Sequence, residues 1–171
     1  MNYLAHIFLS GDNKEVIVGN FMGDYIKGQD FNNYPKAIKK GLILHRNIDT
    51  YTDMHHIVRK SKKYFSKKYG KYSGILIDIF YDHYLTQNWL KFNTALLDDY
   101  VSSINGILTE YYHVFPERVQ FFIPSFIKNN WIKAYSSIEG LDLVLRRMSN
   151  RTTLPDETDW AIEQLRKYYY C

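Results

Sequence analysis

The sequence contains a single cysteine, Cys171. One thiol cannot form an intramolecular disulfide, and it cannot build a thiolate metal cluster within one chain, so any metal would be held by nitrogen and oxygen ligands. No stretch approaches the roughly 20 uncharged apolar residues that span a bilayer. The first residues also lack the basic flank and the small-residue cleavage site of a secretory signal. We therefore expect a cytoplasmic protein without a membrane span.

Residues that break helices are few, since the 171 residues include only 4 Pro and 9 Gly. Apolar residues recur mostly at helical spacing, and a chain of this length without repeats or linkers fits one domain. These features predict an all-α, single-domain helical bundle over residues 1–171. The predicted helices are Glu15–Lys27, Pro35–Thr52, His56–Lys68, Tyr72–Phe92, Thr94–Tyr112, Glu117–Lys128, Ile132–Met148 and Pro155–Tyr169.

The segment Gly74–Leu90 carries large apolar side chains on more than one helical face, which predicts a helix that is buried nearly all round. Asp78 and Asp82 lie four residues apart on one face of it, and His83 follows. Burying unpaired carboxylates costs several kcal/mol, and this segment has no basic residue of its own. A divalent cation is therefore the compact candidate to neutralise them. An exposed helix edge, or an ion pair with an arginine from another helix, is the alternative.

A second segment repeats this pattern of histidine and carboxylate. His45 and Asp49 lie four residues apart, Asp53 is one turn further, and His55 follows. Imidazole and carboxylate can together bind Zn, Mn, Fe or Mg, with differing preference. An ordinary surface pair is the alternative for the first two residues, and capping or support of the ligands is the expected role of the last two.

Two more polar residues interrupt apolar surroundings near the start of the sequence. His6 lies within YLAHIFL, and Asp24 lies within GNFMGDYIKG. Each could be a further ligand. A hydrogen-bonded core histidine and an interhelical salt bridge are the respective alternatives.

Charge is unevenly distributed along the chain. No acidic residue lies between Asp53 and Asp78, whereas residues 59–71 hold seven basic ones. This pattern indicates a docking surface for an acidic partner, and a solvated helix face is the alternative. The basic residues that approximate one helical stripe, with a neighbouring arginine, are Arg59, Lys60, Lys63, Lys67 and Lys71.

Arg147 and Arg151 lie four residues apart after an amphipathic stretch. Arginine offers a planar fork of donors that matches a phosphate group, so these two side chains are candidates for phosphate binding. A salt-bridged helix end is the alternative.

Four segments, in the order MNYLAHIFLS, GNFMGDYIKG, HRNIDTYTD and DIFYDHYLTQNW, closely resemble the acyl carrier protein phosphodiesterase family, a divergent branch of the HD-type metal-dependent phosphohydrolases. The resemblance implies an HD-like helical fold and a divalent ion, Mn²⁺ or Mg²⁺. It also implies hydrolysis of the phosphodiester that joins 4'-phosphopantetheine to a serine of holo acyl carrier protein. HD enzymes place histidine before aspartate, whereas here Asp82 precedes His83, which implies a rearranged connectivity.

The resemblance also implies a set of site residues. Metal ligation falls on His45, Asp82 and one or both of Asp24 and Asp78, while Asp49 or His83 completes the shell or moves a proton. His6 is a weaker addition. The strongly acidic carrier protein would suit the basic stripe. The alternatives are an HD-type enzyme that acts on a nucleotide or other small phosphodiester, a catalytically silent relative that binds carrier protein, and a nucleic-acid-binding module, which would leave the buried acids unexplained.

Overall fold

The computed structural model describes residues 3–170. Cys171, the single cysteine, lies outside the described residues, as do Met1 and Asn2. The described part is all α, without a β-strand, which confirms the predicted fold class. No helix of the described part has the length and apolar character needed to cross a membrane. The ten helices are α1 Tyr3–Phe8, α2 Lys14–Phe21, α3 Lys36–Met54, α4 His56–Tyr69, α5 Ser73–Gln87, α6 Leu97–Glu110, α7 Glu117–Lys128, α8 Trp131–Ala134, α9 Ile138–Arg151 and α10 Thr158–Lys167.

Several helix boundaries differ from the sequence-based prediction. Helix α1 was not predicted, and α2 ends at Phe21 and is followed by a tight 3-10 turn, Gly23–Tyr25. The single helix predicted over Ile132–Met148 is two helices, because Ser137 has extended backbone angles and its hydroxyl accepts a hydrogen bond from the Gly140 N–H at 3.0 Å. An N-cap serine of this kind begins a new helix rather than continuing the old one.

Helices α2 and α3 pack backbone against backbone. A Cβ atom on Gly19 would lie 2.1 Å from the carbonyl oxygen of Ile38, and one on Gly41 would lie 2.2 Å from the carbonyl oxygen of Val16. Only glycine fits at both positions, because any side chain would force the two helices apart. The close approach brings Asn20 of α2 next to His45 of α3.

Buried apolar side chains from all ten helices join in one connected core. Helix α5 runs through it, and Leu76, Ile79 and Phe80 are at most 1 % exposed, as its sequence predicted. Helix α1 is fastened to α5 by Asp82, whose two carboxylate oxygens accept hydrogen bonds from the N–H groups of Leu4 at 2.9 Å and Ala5 at 3.0 Å. Because His6 lies on the same short helix, these two hydrogen bonds also set its position relative to α5.

Candidate metal centre

Two buried histidine rings stack on each other at the junction of α1, α2 and α3. The rings of His6 and His45 have centroids 4.0 Å apart and planes 15° apart, and each residue is 3 % exposed. Asn20 holds both of them. Its side-chain oxygen lies 2.9 Å from Nδ1 of His6, and its backbone oxygen lies 2.8 Å from Nδ1 of His45. Because both oxygens can only accept, each Nδ1 donates, so in the neutral form of each ring Nε2 carries the lone pair that a metal ion would take.

Carboxylates lie beside both of these Nε2 atoms. Asp49, one turn after His45 on α3, has one oxygen 3.1 Å from Nε2 of His6 and the other 3.3 Å from Nε2 of His45. An oxygen of Asp24, from the Gly23–Tyr25 turn, lies 3.4 Å from Nε2 of His45. The ligand atoms of His6, His45 and Asp49 all lie within 4.8 Å of one another, which suits a shared cation.

The protonation behaviour of these groups shows how strongly they interact. Burial acts to lower the pKa of His45, but the carboxylates of Asp24 and Asp49 outweigh burial and raise this pKa to about 9. Burial acts to raise the pKa values of the two carboxyl groups, but the imidazoles hold both below the ordinary range, that of Asp49 most. The protein alone therefore balances the carboxylate charge with a proton on His45. A divalent cation would provide the same balance.

The surroundings of Nε2 of His45 indicate whether a metal ion fits this cluster. Nε2 of His45 is buried and has no hydrogen-bond partner among residues 3–170, because its contacts with Asp24 and Asp49 lack hydrogen-bond geometry. A buried nitrogen without a hydrogen bond is unfavourable. Two carboxylates beside it make a metal ion the ligand that best satisfies it, so the residues present fit a divalent ion.

The turn that carries Asp24 packs directly on the His45 ring. A Cβ atom on Gly23 would lie 2.2 Å from Cγ of His45. Only glycine therefore allows the turn to approach the imidazole and bring Asp24 to it. Sequence reasoning missed both Gly23 and Asn20. Asn20 is a polar residue within the apolar run VIVGNFM, which is the same signal that singled out Asp24.

Asp78 and Asp82, which form one predicted pair, differ in their surroundings. Asp78 is half-buried, and burial raises its pKa, with the charges of Asp49 and Asp53 acting in the same direction. The acidic end of α3 therefore lies within electrostatic range of Asp78. Burial also raises the pKa of Asp82, to about 7, although the N–H groups of α1 oppose the shift. Both Asp82 oxygens are bonded to α1, so the structure gives them a different use from the predicted metal ligation.

His83 points away from this cluster. Its Nδ1 lies 2.7 Å from the backbone oxygen of Tyr135, and its Nε2 lies 2.7 Å from the hydroxyl of Tyr169. Both ring nitrogens thus join α5 to the end of α8 and to the segment after α10. The structure does not bring His83 to the stacked histidines, which leaves its predicted catalytic role without a geometric basis.

The remaining predicted residues lie outside the cluster. Asp53 is exposed and pairs with Lys62 at 2.7 Å, and His55 precedes α4 and stacks on His56. The predicted basic stripe is exposed, but Lys71 lies beyond the end of α4, in the turn Gly70–Tyr72. The exposed arginines Arg147 and Arg151 line a cavity beside α1.

Comparison with known proteins identifies the family of the chain. The family described as "Acyl carrier protein phosphodiesterase" matches residues 1–170. Proteins named acyl carrier protein phosphodiesterase are 31 % identical over 153 residues in Yersinia pestis, covering 88 % of this chain and 79 % of the relative, and 30 % identical over 175 residues in Pectobacterium atrosepticum, covering 99 % and 89 %. No solved structure matches the chain, so the relation to HD-type folds stays a prediction. The match over nearly the whole length shows that the chain belongs to the acyl carrier protein phosphodiesterase family.

Proposed function

We propose that the chain hydrolyses the phosphodiester between 4'-phosphopantetheine and a serine of holo acyl carrier protein, releasing apo carrier protein and 4'-phosphopantetheine. The family and the names of the relatives identify a phosphoric diester hydrolase. The observation that carries the proposal is the convergence of two buried imidazoles and two carboxylates on one point between α1, α3 and the Gly23–Tyr25 turn.

We assign His6, His45 and Asp49 as the ligands of a divalent ion, with Asp24 as a fourth. Asp49 contacts both Nε2 atoms, which favours a ligand role over the proton-transfer role left open by the sequence. This assignment replaces Asp82, whose oxygens already accept two backbone hydrogen bonds. We propose Mn²⁺ ahead of Mg²⁺, because magnesium prefers a shell made of oxygen atoms alone.

The protein contributes positioning and charge to the reaction. When bound, a divalent ion supplies Lewis-acid activation of water and of the phosphoryl group. Asn20 fixes both imidazoles with Nε2 directed at the carboxylates, so the ligands are organised before the ion arrives. The side chains of Asp24 and Asp49 are 38 % and 49 % exposed, so the centre opens to solvent on their side. A substrate diester would reach the centre from that side.

The direct test is incubation of purified protein with holo acyl carrier protein and Mn²⁺, followed by intact-mass measurement of the carrier. We expect the carrier to lose the mass of one phosphopantetheine, and we expect EDTA to prevent the loss. His45→Ala and Asp49→Ala should abolish it, while His56→Ala, at an exposed histidine on α4, should not. Intact holo carrier after incubation with the wild-type protein would overturn the proposal, and equal activity of His45→Ala and His56→Ala would overturn the ligand assignment.

We propose that the basic face of α4 docks the carrier protein. Lys60, Lys63 and Lys67 are exposed at positions that share one helical face, and none forms an ion pair with a residue in the described part of the chain. Two other lysines of α4 do form ion pairs, Lys62 with Asp53 and Lys68 with Glu157. The three lysines are therefore available to an acidic partner. Helix α4 begins two residues after the end of α3, the helix that carries Asp49.

The docking proposal separates from catalysis by its kinetics. Changing Lys60, Lys63 and Lys67 together to glutamate should raise KM for holo carrier protein at least tenfold at low salt, with kcat within twofold of wild type. Added salt should reduce the difference, because screening weakens attraction between exposed charges. The matched control changes Lys36, Lys40 and Lys128, which are also exposed lysines, and alters net charge equally. If the control raises KM as much, net charge rather than this face is responsible.

A further inference from the structure

A cavity of about 280 Å³ opens between α1, the Gly23–Tyr25 turn, α8 and α9. Its size is close to the lower end of the range for small-molecule sites. Arg147 and Arg151 stand at its edge on α9. The rest of its wall is mainly aromatic and aliphatic, with Tyr3, Tyr25, Trp131, Tyr135, Val144 and Met148 as its large side chains.

This cavity adjoins the candidate metal centre. Tyr25 directly follows Asp24, and Tyr3 lies one helical turn before His6 on α1. Both tyrosines line the cavity, and the turn that carries Tyr25 also carries Asp24. A molecule with one end at the metal centre could therefore extend past Tyr3 and Tyr25 into the cavity.

The wall combines apolar surface with polar groups that suit amides. Tyr3, Tyr25 and Tyr135 each carry a hydroxyl group that can donate to or accept from an amide. Nε1 of Trp131 is buried and has no hydrogen-bond partner among residues 3–170. An unmatched buried donor is unfavourable, and a ligand with an acceptor oxygen would satisfy it. The complementary ligand is a narrow, flexible chain of methylene groups interrupted by amides.

The two arginines give the cavity a cationic edge. Arg147 and Arg151 are four residues apart on α9, so they project from the same side of the helix. Both are exposed, and neither pairs with a carboxylate in the described part of the chain, whereas the adjacent Arg146 pairs with Asp142 and Asp159. Exposed guanidinium groups that line the cavity favour a ligand that carries a phosphate group.

We infer that this cavity binds the pantetheine arm, both in the substrate and in the released 4'-phosphopantetheine. The inference rests on the proposed function, because it assumes that the arm is the group removed. It adds the place where the arm lies and the residues that contact it, with the single phosphate group of the arm between the metal centre and Arg147 and Arg151. The amide carbonyl oxygens would accept from Trp131 and the tyrosine hydroxyls, and the methylene groups would pack on Val144 and Met148.

The test is calorimetric titration of metal-free protein in EDTA with 4'-phosphopantetheine. Val144→Phe replaces an isopropyl group with a larger phenyl ring that fills part of the cavity, and it should weaken binding at least tenfold. Leu143→Phe is the matched control, because Leu143 is the preceding residue, is 54 % exposed and does not line the cavity. The control should bind as wild type does. Equal affinity of the two phenylalanine variants, with both folded by circular dichroism, would overturn the inference.

Two further titrations make the result independent of any one variant. Trp131→Phe keeps an aromatic ring but removes the Nε1–H donor, so binding should weaken about 3- to 10-fold even if Val144→Phe does not fold. Phosphopantetheine should bind more tightly than pantetheine, and the difference should disappear when Arg147 and Arg151 are both changed to alanine. Unchanged affinity in Trp131→Phe, together with an unchanged preference in the arginine variant, would also overturn the inference.

The failure of this inference can be distinguished from failure of the proposed function. If the wild-type protein removes the arm from holo carrier protein but Val144→Phe binds and cleaves as Leu143→Phe does, the function stands and the cavity assignment is wrong. If the wild-type protein removes nothing from holo carrier protein, the proposed function fails and the cavity assignment fails with it.

Discussion

Replacing Gly23 with alanine tests how closely the turn after α2 holds His45. The added Cβ atom would lie 2.2 Å from Cγ of His45 and 2.6 Å from its Cβ and Cδ2 atoms. Favourable carbon contacts are about 3.5 to 4.0 Å, so the ring or the turn must move by more than about 1 Å. Nδ1 of His45 is held by the backbone oxygen of Asn20 at 2.8 Å, so this movement breaks a buried hydrogen bond or separates Asp24 from the ring.

The magnitude of the effect follows from this displacement. Overpacking of a buried site costs about 1–3 kcal/mol, which for a chain of this length lowers Tm by about 2–12 °C. Misplacing a reacting group by about 1 Å can reduce activity about 100-fold. We therefore expect Gly23→Ala to lose most of its cleavage activity on holo carrier protein and at least tenfold in Mn²⁺ affinity.

Two assays with one control variant measure the effect. Thermal unfolding in EDTA gives the change in stability, and calorimetric titration gives the Mn²⁺ affinity. Gly106→Ala is the control, because a Cβ atom there meets nothing within 4 Å, and alanine in a helix should stabilise by about 0.5–1 kcal/mol. If Gly23→Ala binds Mn²⁺ within threefold of wild type and matches Gly106→Ala in Tm, the account of the turn is refuted.

Three further predictions concern the supports of the site. Asn20→Ala should lower Mn²⁺ affinity about 10- to 100-fold and destabilise the fold by about 1–3 kcal/mol, because it removes the side-chain oxygen that lies 2.9 Å from Nδ1 of His6 and 3.2 Å from Nδ1 of His45; an unchanged titration would show that the rings need no such support. Gly41→Ala should unfold at a much lower urea concentration than Gly74→Ala. The new Cβ atom would lie 2.2 Å from a backbone oxygen at position 41, but at position 74 it would meet only the flexible Lys62 side chain, at 3.5 Å. Equal unfolding midpoints would contradict the close packing of α2 on α3. Mn²⁺ at about 100 times its Kd should stabilise the metal-free protein by about 2.7 kcal/mol, a rise in Tm of about 5–11 °C, and should leave the Tm of His45→Ala unchanged; the same rise in that variant would place the ion elsewhere.

The sequence predicted most of the chemistry of the site from local patterns. The spacing of His45 and Asp49 predicted that they act together, and His6 and Asp24 were singled out as polar residues in apolar runs. The structure brings these four side chains together. Residues within one helix are related by a fixed geometry, and a polar residue in a buried run needs a partner. Both rules work without knowledge of the tertiary fold.

The contacts between helices could not be predicted in this way. Asp78 and Asp82 are also four residues apart, like His45 and Asp49, yet the Asp82 carboxylate accepts hydrogen bonds from the N–H groups of α1. Helix α1 has only six residues, which is too short to show a clear periodicity in the sequence. His83 is adjacent to Asp82 but about 100° further around the helix axis, and this rotation directs it to Tyr135 and Tyr169. Gly19, Gly23 and Gly41, at which α2 and the turn after it contact α3, have no side chain and so add nothing to a hydrophobic or polar pattern.

The most direct measurement of the central claim is pulsed electron paramagnetic resonance of Mn²⁺ bound to the purified protein. If His6 and His45 both ligate one ion, the spectrum should show magnetic coupling to two imidazole nitrogens. His45→Ala should lose the signal or keep one nitrogen, and His83→Ala, if folded, should keep both. Tightly bound Mn²⁺ without nitrogen coupling, or coupling that survives His45→Ala unchanged, would contradict the claim that α1 and α3 together build the metal centre.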